Sequence, residues 1–258
     1  MLLGDKVAII SGVGPGLGRQ LALAYARHGA SLLLGARREA RLAAVQAEVA
    51  ALGGRAVAVP TDVTDPRQCE RLAQTAIDEY GHLDVLVNNA AAASRAQRFE
   101  DADLDDWRQA AEVTLFGNLQ MTHAAIPALR ARGGGSILFV NSMIVRAPRP
   151  LEGAYATAKA ALLTAAQALA RELGPDRIRV NTIVPGWLWG PTVEHHLEAV
   201  ASRTGSTVQE QYDELASHIP LGLPTDADCA DAAVFFASDL SSVVTGQALD
   251  VNGGEVCH

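Results

Sequence analysis

A tyrosine and a lysine four residues apart, Tyr155 and Lys159, are the residues whose types and spacing most directly suggest chemistry. They lie near the start of an alanine-rich stretch that predicts a helix running to about Leu173. Residues four apart share one face of a helix, so the phenol and the ammonium group are expected to be neighbours. A nearby cation favours the phenolate and lets a tyrosine exchange a proton with a substrate oxygen. The pair alone is more often part of a solvated helix surface, so the rest of the chain must distinguish the two interpretations.

The composition restricts the kind of protein that this chain can be. It has 258 residues, 49% of them apolar, and a formal net charge of −8. The length and the lack of repeats or linkers predict one domain with a large core. The acidic balance argues against nucleic acids and anionic membranes as partners. No apolar run reaches the roughly 18–20 residues of a membrane span, and Met1 to Lys6 lead directly into a strand, so we predict a soluble, cytoplasmic protein.

Cysteines and histidines give no sign of a disulfide or a metal site. Cys69, Cys229 and Cys257 are widely spaced, which predicts reduced structural thiols. His195 and His196 lack a second pair of ligands at metal-binding spacing, so we predict no bound metal.

Strand and helix patterns alternate along most of the chain. Continuous apolar runs are typical of parallel strands buried on both faces, and the segments between them have helical length and pattern. The predicted strands are residues 7–10, 31–35, 55–60, 83–87, 136–142, 177–184 and 246–251. The predicted helices are residues 19–28, 37–52, 66–80, 105–129, 154–173 and 226–237. A polar segment at about 187–219 interrupts the alternation and predicts a lid over a substrate.

A glycine-rich turn lies directly between the first predicted strand and the first predicted helix. Its glycines, at 12, 16 and 18, let the backbone approach a ligand closely. The amides at the start of the following helix favour a phosphate group. A tight strand-to-helix turn would also use glycine, but the position of the run favours a pyrophosphate-binding turn.

The end of the second predicted strand bears on the choice of cofactor. In dinucleotide-binding folds an acidic residue here binds the ribose 2′-hydroxyl, whereas an arginine accommodates a 2′-phosphate. This chain has Arg37 and Arg38 and lacks the acid. We therefore favour NADP over NAD, the alternative being that the arginines only begin a solvated helix.

Polar residues also follow the later strands, at the sheet edge where ligands bind in open α/β folds. Asp62 could accept a hydrogen bond from an adenine amine while Val63 offers its backbone amide, although this stretch could equally cap the next helix. Asn88 to Ala91 follow the fourth strand, and Ser142 ends the fifth. The loop between Ser142 and Tyr155 can fold back and place the serine hydroxyl beside the phenol.

These residues occur in an order that is known from one family. With Ser11-Gly12, Gly16, Gly18, Asn88-Asn89-Ala90, Ser142, Tyr155, Lys159 and Pro185-Gly186, the chain resembles the classical short-chain dehydrogenase/reductase family over essentially its whole length. The resemblance implies a Rossmann-type doubly wound α/β sheet of about seven parallel strands, with helices on both faces, in a single domain spanning residues 1–258. It also implies hydride transfer between NAD or NADP and a carbonyl or alcohol.

The resemblance assigns roles to individual residues. Tyr155 would be the acid in carbonyl reduction and the base in alcohol oxidation, and Ser142 would hold the substrate oxygen. Lys159 would bind the nicotinamide ribose and lower the pKa of the tyrosine. The residues expected to bind the cofactor are Gly12, Pro15, Gly16, Leu17, Gly18, Arg37, Asp62, Val63, Asn89, Ala90, Tyr155, Lys159, Pro185, Gly186 and Leu188.

Three positions depart from the family pattern. Thr114 stands where an asparagine usually helps hold a water in the proton relay to the lysine, so we expect an altered relay, with Asn118 one turn away. Asn141 precedes Ser142 where a second serine is usual. Gly190 replaces a threonine that usually contacts the cofactor, and Thr192 could substitute for it.

The predicted substrate pocket is lined by residues 91–93, 143–153 and 187–196. Its apolar side chains favour a hydrophobic ketone or secondary alcohol as substrate. They are Ile144, Trp187, Leu188 and Trp189. The two tryptophans could instead pack the lid onto the body. Arg146 and Arg149 could steer an anionic substrate, although loop arginines are more often solvated.

Two alternative functions remain open at this point. A 3-oxoacyl-thioester reductase would be favoured by a basic patch for an acidic carrier protein, and the acidic balance weakens this alternative. A non-catalytic dinucleotide-binding regulator is supported only by the substitution at Thr114.

The predicted helix at 154–172 is apolar over more of its circumference than one sheet face can cover. We therefore expect a second copy of the chain on its other side. The resemblance implies a homotetramer, and a homodimer would bury the same surface.

Overall fold

The computed structural model describes residues 1–257, which form a seven-stranded parallel sheet with helices on both faces. The strands are β1 (Val7–Ser11), β2 (Ser31–Ala36), β3 (Arg55–Pro60), β4 (Val85–Asn88), β5 (Gly135–Val140), β6 (Ile178–Pro185) and β7 (Ala248–Val251). The helices are α1 (Leu17–Arg27), α2 (Glu39–Ala51), α3 (Pro66–Tyr80), α4 (Leu104–Ala111), α5 (Asn118–Arg132), α6 (Gly153–Leu173), α7 (Pro191–Thr204), α8 (Val208–Ser217) and α9 (Asp226–Ala237). The predicted doubly wound sheet is confirmed.

The order of the strands creates the place where a ligand can bind. The sheet runs β3-β2-β1-β4-β5-β6-β7, so β1 pairs with β2 on one side and with β4 on the other. The chain therefore changes its winding direction between β1 and β4. In open α/β sheets, ligands bind beyond the carboxyl ends of the strands at such a reversal.

Both faces of the sheet are covered by apolar cores. Ala8 and Ile10 of β1 contact one core, with α1, α2 and α9, whereas Val7 and Ile9 contact the other, with α3, α5 and α6. This alternation follows from the two-residue period of a strand. Because both sides of β1 are buried, its sequence is a continuous apolar run, which is why it could be recognised.

The long helix predicted at 105–129 is interrupted in the structure. Residues Glu112–Gly117 form a π-helical turn between α4 and α5. The side chain of Asn118 donates a hydrogen bond of 2.7 Å to the carbonyl oxygen of Thr114. A side chain that enters the hydrogen-bond ladder in this way is a recognised cause of a helix irregularity. No apolar pattern indicates such a bond, so the sequence predicted a continuous helix.

The predicted insertion at 187–219 contains the two helices α7 and α8. A capping box starts α8, since Thr207 and Glu210 bond to each other's backbone amides. The amide of Trp189 donates a bond of 2.7 Å to the carbonyl of Pro224, which ties the beginning of the insertion to the segment before α9. Among residues 1–257, no helix has the length and apolar character that a membrane crossing requires.

Candidate active site

The backbone of the glycine turn after β1 packs closely against the backbone of the residues that follow β4, at the carboxyl edge of the sheet. Gly12 has a φ of 89°, and a Cβ atom there would collide with the backbone of Ala90. A Cβ atom on Gly18 would collide with the carbonyl of Gly12. Asn89 fixes this arrangement, because its Nδ2 donates a 2.7 Å hydrogen bond to the Gly12 carbonyl. The predicted glycines and the residues after β4 therefore form one unit.

The start of α1 faces the same edge. Gly16 precedes the helix and offers no side chain to cap it, Pro15 is exposed beside it, and Leu17 is the first helical residue. The amides of an uncapped first turn are available to an anion. This cradle of close backbone fits the diphosphate of a dinucleotide, as the sequence predicts.

A cavity of about 280 Å³ continues from the glycine turn toward β2 and β3. Gly12, Arg37, Asp62, Val63, Asn89 and Ala90 line it, together with Arg38 and Arg41. The structure thus brings six of the fifteen predicted cofactor residues to one cavity. Arg41 lies one helical turn after Arg37, a spacing that could have suggested it.

The two interpretations of the stretch after β3 apply to different residues. Asp65 caps α3 by accepting a bond of 3.0 Å from the amide of Arg67. Asp62 lines the cavity and accepts bonds from the amide and the hydroxyl of Thr64, at 3.0 and 2.8 Å. Capping therefore does not occupy Asp62, which remains beside the cavity.

Ser142, Tyr155 and Lys159 meet between the end of β5 and the first turns of α6. The hydroxyl of Ser142 is close enough to the Tyr155 phenol to lower its pKa. The Lys159 Nζ lies 5.7 Å from the centre of the Tyr155 ring and donates a bond of 2.7 Å to the carbonyl of Val140. The predicted trio is therefore assembled in the folded chain.

Asn141 ties the two elements that carry this trio. Its Oδ1 accepts a bond of 2.9 Å from the amide of Ser142, and its Nδ2 donates one of 3.0 Å to the carbonyl of Lys159. The side chain is almost completely buried, with 3% exposed. This departure from the usual serine thus provides a direct link between β5 and α6.

Burial moves the pKa values of Tyr155 and Lys159 in opposite directions. It raises the pKa of the Tyr155 phenol, and the nearby Ser142 hydroxyl partly opposes this increase. It lowers the pKa of Lys159 to about 7, because a buried ammonium group loses its hydration. Lys159 is not among the groups that lower the pKa of Tyr155, so the expected effect of the lysine is not observed in the protein alone.

Thr114 and Asn118 hold the segment after β4 instead of contacting the lysine. The Thr114 hydroxyl accepts a bond of 3.1 Å from the amide of Ala92. Asn118 donates 2.9 Å and 2.7 Å bonds to the carbonyls of Ala90 and Thr114. Both side chains are fully buried. In this structure their role is to fix residues that border this cavity.

The residues after β6 complete the edge. Pro185 ends the strand, and Gly186 donates a bond of 3.1 Å to the carbonyl of Val251 in β7. Leu188 packs partly buried against the core beneath it. Thr192 is exposed on α7, and Gly190 precedes that helix with an extended backbone, φ 176°.

The tryptophans of the insertion contact other side chains closely. Trp187 stacks on His196 of α7, with ring centres 5.3 Å apart, and the guanidinium of Arg149 lies 4.6 Å from its ring. Trp189 meets Tyr212 of α8 edge-on at 4.8 Å. Of the two interpretations of these tryptophans, the contacts favour packing of the insertion.

The structure changes the roles predicted for the loop arginines and for Ile144 in the substrate pocket. Arg146 pairs with Asp250 at 3.2 Å and Arg149 pairs with Glu152 at 3.1 Å, so neither guanidinium is left to steer an anion. Ile144 is 1% exposed and belongs to the interior.

Within residues 1–257, no group of three or more His, Cys, Asp or Glu side chains is placed to hold a metal ion.

Comparison with known proteins places these features in a family. A family model described as Enoyl-(Acyl carrier protein) reductase matches residues 12–255. The trans-4-hydroxycyclohexanecarboxylate dehydrogenase of Sinomonas cyclohexanicum is 36% identical over 258 residues, covering 97% of this chain and 93% of the relative. A 3-oxoacyl-[acyl-carrier-protein] reductase of Thermotoga maritima is 31% identical over 258 residues, covering 99% of this chain and all of the relative.

Solved structures agree over the same extent. The L-sorbose reductase from Gluconobacter frateurii, complexed with NADPH and L-sorbose, has a TM-score of 0.94 and 29% identity, covering 100% of both chains. A 7α-hydroxysteroid dehydrogenase complexed with NADH and 7-oxo glycochenodeoxycholic acid has a TM-score of 0.85 and 32% identity, covering 99% of this chain and 96% of the other. The chain therefore belongs to the short-chain dehydrogenase/reductase family of oxidoreductases, which use nicotinamide dinucleotide cofactors.

Proposed function

We propose that this protein transfers a hydride between a nicotinamide cofactor, preferably NADP, and a hydrophobic ketone or secondary alcohol, with Tyr155 as the acid or base. The observation that carries the proposal is the meeting of the Ser142 hydroxyl, the Tyr155 phenol and the buried Lys159 at the carboxyl edge of the sheet, the edge that also carries the glycine turn. The bound nicotinamide would supply or accept the hydride. The residues of this chain would bind the cofactor, orient the substrate and exchange a proton with the substrate oxygen.

In the reductive direction Ser142 and Tyr155 would both donate hydrogen bonds to the carbonyl oxygen of the substrate. Because burial raises the pKa of Tyr155, the phenol is protonated at neutral pH and can give its proton to that oxygen as negative charge develops there. In the oxidative direction Tyr155, as a phenolate, would remove the proton of the alcohol. Asn141 would keep the serine and the helix of the tyrosine in register.

Lys159 would stabilise negative charge on the tyrosine and bind the nicotinamide ribose. Its ammonium group is anchored on the Val140 carbonyl and 2% of the residue is exposed, so a nearby phenolate or ribose hydroxyl would gain a partner that water does not screen. With a pKa of about 7, the lysine alone is only partly charged at neutral pH. A phenolate next to it would favour the charged form.

The preference for NADP is supported by Arg37, Arg38 and Arg41. All three are exposed, line the same cavity and form no salt bridge within residues 1–257. Unpaired guanidinium groups suit a phosphate, to which they can donate two parallel hydrogen bonds.

The substrate class is supported by the loop between Ser142 and Tyr155 and by the relatives. Val145 is partly exposed and Leu151 is 48% exposed, so the loop offers apolar surface near the proposed catalytic residues. The names of two relatives refer to alicyclic alcohols or steroids. A 3-oxoacyl thioester is the second candidate, supported by the Thermotoga maritima relative.

The test is a fluorescence titration with NADPH and NADH, followed by turnover assays with cyclic, steroid and acyl-thioester ketones. We expect saturable NADPH binding, and turnover that falls by about three orders of magnitude or more in Tyr155→Phe, which lacks the transferable proton. Tyr80→Phe is the matched control, since Tyr80 ends α3 next to Arg55 at the amino end of β3, away from the carboxyl edge of the sheet, and should leave turnover intact.

Other outcomes would select other functions. Turnover confined to acyl thioesters would favour the second candidate. A Tyr155→Phe protein that binds cofactor and keeps the full biological effect would favour a non-catalytic regulator. Failure to bind either dinucleotide would reject the proposal.

A further inference from the structure

An acidic side chain faces the glycine turn from the first turn of α9. A Cβ atom on Gly190 would overlap Oδ2 of Asp226, and a Cβ atom on Gly16 would lie 3.1 Å from the same oxygen. The extended backbone of Gly190 would suit any residue, so its lack of a side chain reflects the space that Asp226 takes. The carboxyl group therefore stands where the side chain at 190 would otherwise be.

Local bonds hold Asp226 in this position without using its carboxyl group. Trp189 pairs with Thr225 in a parallel bridge, which sets the 187–190 segment against the start of α9. The capping box of α9 is made by Thr225 and Asp228. Within residues 1–257, no side chain forms a hydrogen bond or salt bridge with Asp226. Its carboxyl group is thus left directed toward the cradle.

The elements around Asp226 offer it no cation. The glycine turn and residues 187–190 contain no ionisable side chain. On α1, Arg19 is paired with Glu48. On α9 itself, Asp228 bonds to Thr225, and burial raises the pKa of the Cys229 thiol so that it stays neutral. Arg179 and Asp239 lie at the far end of α9. The other charged or histidine side chains of these helices are exposed: Arg27 on α1, Asp231 on α9, and Glu194, His195, His196, Glu198 and Arg203 on α7.

When a diphosphate occupies the glycine turn, a half-buried carboxyl group beside it that has no cation is more stable in its protonated form. Burial without a cation already raises the pKa of Asp226 to about 6. A dianionic diphosphate placed nearby would disfavour the carboxylate further, since like charges oppose ionisation. The protonated carboxyl group has an O–H that can donate to a phosphate oxygen, as a threonine hydroxyl at 190 could.

We propose that Asp226 is a cofactor-binding residue whose protonated carboxyl group donates a hydrogen bond to the diphosphate of the dinucleotide, in place of the side chain missing at Gly190. This inference rests on the proposed function, because it concerns the same cofactor site. Binding of the cofactor would then be accompanied by uptake of a proton at Asp226.

The direction of the pH dependence follows from this linkage. Below pH ~6 the carboxyl group is already protonated and the affinity is highest; above it, each pH unit weakens binding by up to about tenfold. The dependence ends where the pH exceeds the pKa of Asp226 in the complex.

The experiment is a titration of the full chain with NADH between pH 5 and pH 8. NADH is preferred to NADPH because a 2′-phosphate would itself titrate near pH ~6. We expect the wild-type affinity to fall across this range, and calorimetry in buffers of different ionisation enthalpy to detect proton uptake. Asp226→Asn keeps a donor without a charge, so its affinity should vary less with pH than that of the wild type, with the remaining dependence due to Lys159, and should exceed that of the wild type at pH 8. Asp226→Ala should show the same reduced pH dependence but bind more weakly than Asp226→Asn.

Asp231→Asn is the matched control, because it removes the same charge from an exposed position of the same helix and should keep the wild-type pH dependence. If Asp226→Asn retains that dependence, the carboxyl group only fills space and the inference is wrong. If Asp226→Asn binds more weakly at every pH, the ionised carboxylate is an acceptor and the inference is also wrong. If the wild type binds NADH and NADPH at no pH, the proposed function fails as well.

Discussion

The ionisable residues of the candidate site obtain their properties from burial more than from one another. Lys159 has a lowered pKa and Tyr155 a raised pKa, and in both cases loss of hydration is the main cause. In the protein alone, burial keeps the tyrosine neutral at neutral pH and leaves the lysine only partly charged. Formation of a phenolate would therefore recharge the lysine, so that the two protonation equilibria are coupled. The pair suits a step in which the tyrosine first donates a proton.

Arg37 is the residue at which cofactor preference should be most easily changed. A charged hydrogen bond contributes about 1.5–3 kcal/mol, so we expect Arg37→Ala to weaken NADPH binding roughly 10- to 150-fold. NADH has no 2′-phosphate, and its affinity should change less than about threefold. Dissociation constants from fluorescence titration measure both effects.

Arg27→Ala is a suitable control, because this exposed arginine lies at the other end of α1, away from the cradle. It should leave both affinities unchanged. An equal loss of NADH and NADPH affinity in Arg37→Ala would contradict a role in recognising the 2′-phosphate. A loss shared by Arg38→Ala or Arg41→Ala would show that several guanidinium groups bind it together.

At the scale of elements, the π-helical turn Glu112–Gly117 provides a support for the sheet edge. It brings the Thr114 hydroxyl to the amide of Ala92, while Asn118 reaches the carbonyl of Ala90. These bonds join α5 to the segment that follows β4. At the position where the family pattern has an asparagine, Thr114 thus has a structural role through its buried hydroxyl.

We expect Thr114→Val to lower the free energy of unfolding by about 1–2 kcal/mol, because it keeps the shape of the side chain and removes the partner of the Ala92 amide. Cofactor binding should weaken, since the freed segment borders the cofactor cavity. Thr114→Ser keeps the hydroxyl and should preserve cofactor affinity. Urea unfolding and fluorescence titration would measure the two effects. Equal cofactor affinity in the Val and Ser variants would show that the bond to Ala92 does not support the site.

The elements that could be predicted are those whose sequence pattern lies within a short stretch of the chain. The buried strands are apolar runs, and Tyr155 and Lys159 are one turn apart on α6, so their meeting follows from helix geometry. The relation between Gly190 and Asp226 joins positions 36 residues apart in sequence and depends on how α9 docks, which no local pattern contains. The π-helical turn is accompanied by a side-chain bond from Asn118, which propensity and periodicity do not report.

The two interpretations of the tryptophans show a related limit. Apolar residues after β6 could line a pocket or pack the insertion, and both uses require the same residue types. The partners Tyr212 and His196 lie on the later helices α8 and α7. Only the folded arrangement of these helices distinguishes the alternatives.

At the scale of the molecule, α6 has one face on the sheet and the other in solvent. Leu162, Ala166, Ala170 and Leu173 are buried in the core. The opposite face carries mainly small side chains that are exposed in the single chain: Thr157, Ala160, Thr164, Gln167 and Ala168. Small side chains allow a second helix to approach closely, and a two-fold axis would place the same face of a second copy against it. We therefore propose that this face is covered in a homodimer or homotetramer.

Ala168→Arg should disrupt this assembly, because each two-fold interface would receive two bulky charged side chains that must be buried next to apolar surface. Sedimentation velocity should show the wild type as a dimer or tetramer and the variant as a smaller species, with the helical content unchanged by circular dichroism. Ala168→Ser adds one small hydroxyl at the same position and should retain the wild-type assembly. A monomeric wild type would mean that this face is open to solvent. An oligomer that survives Ala168→Arg would mean that assembly uses another surface, and the excess of small residues on α6 would then have no role in it.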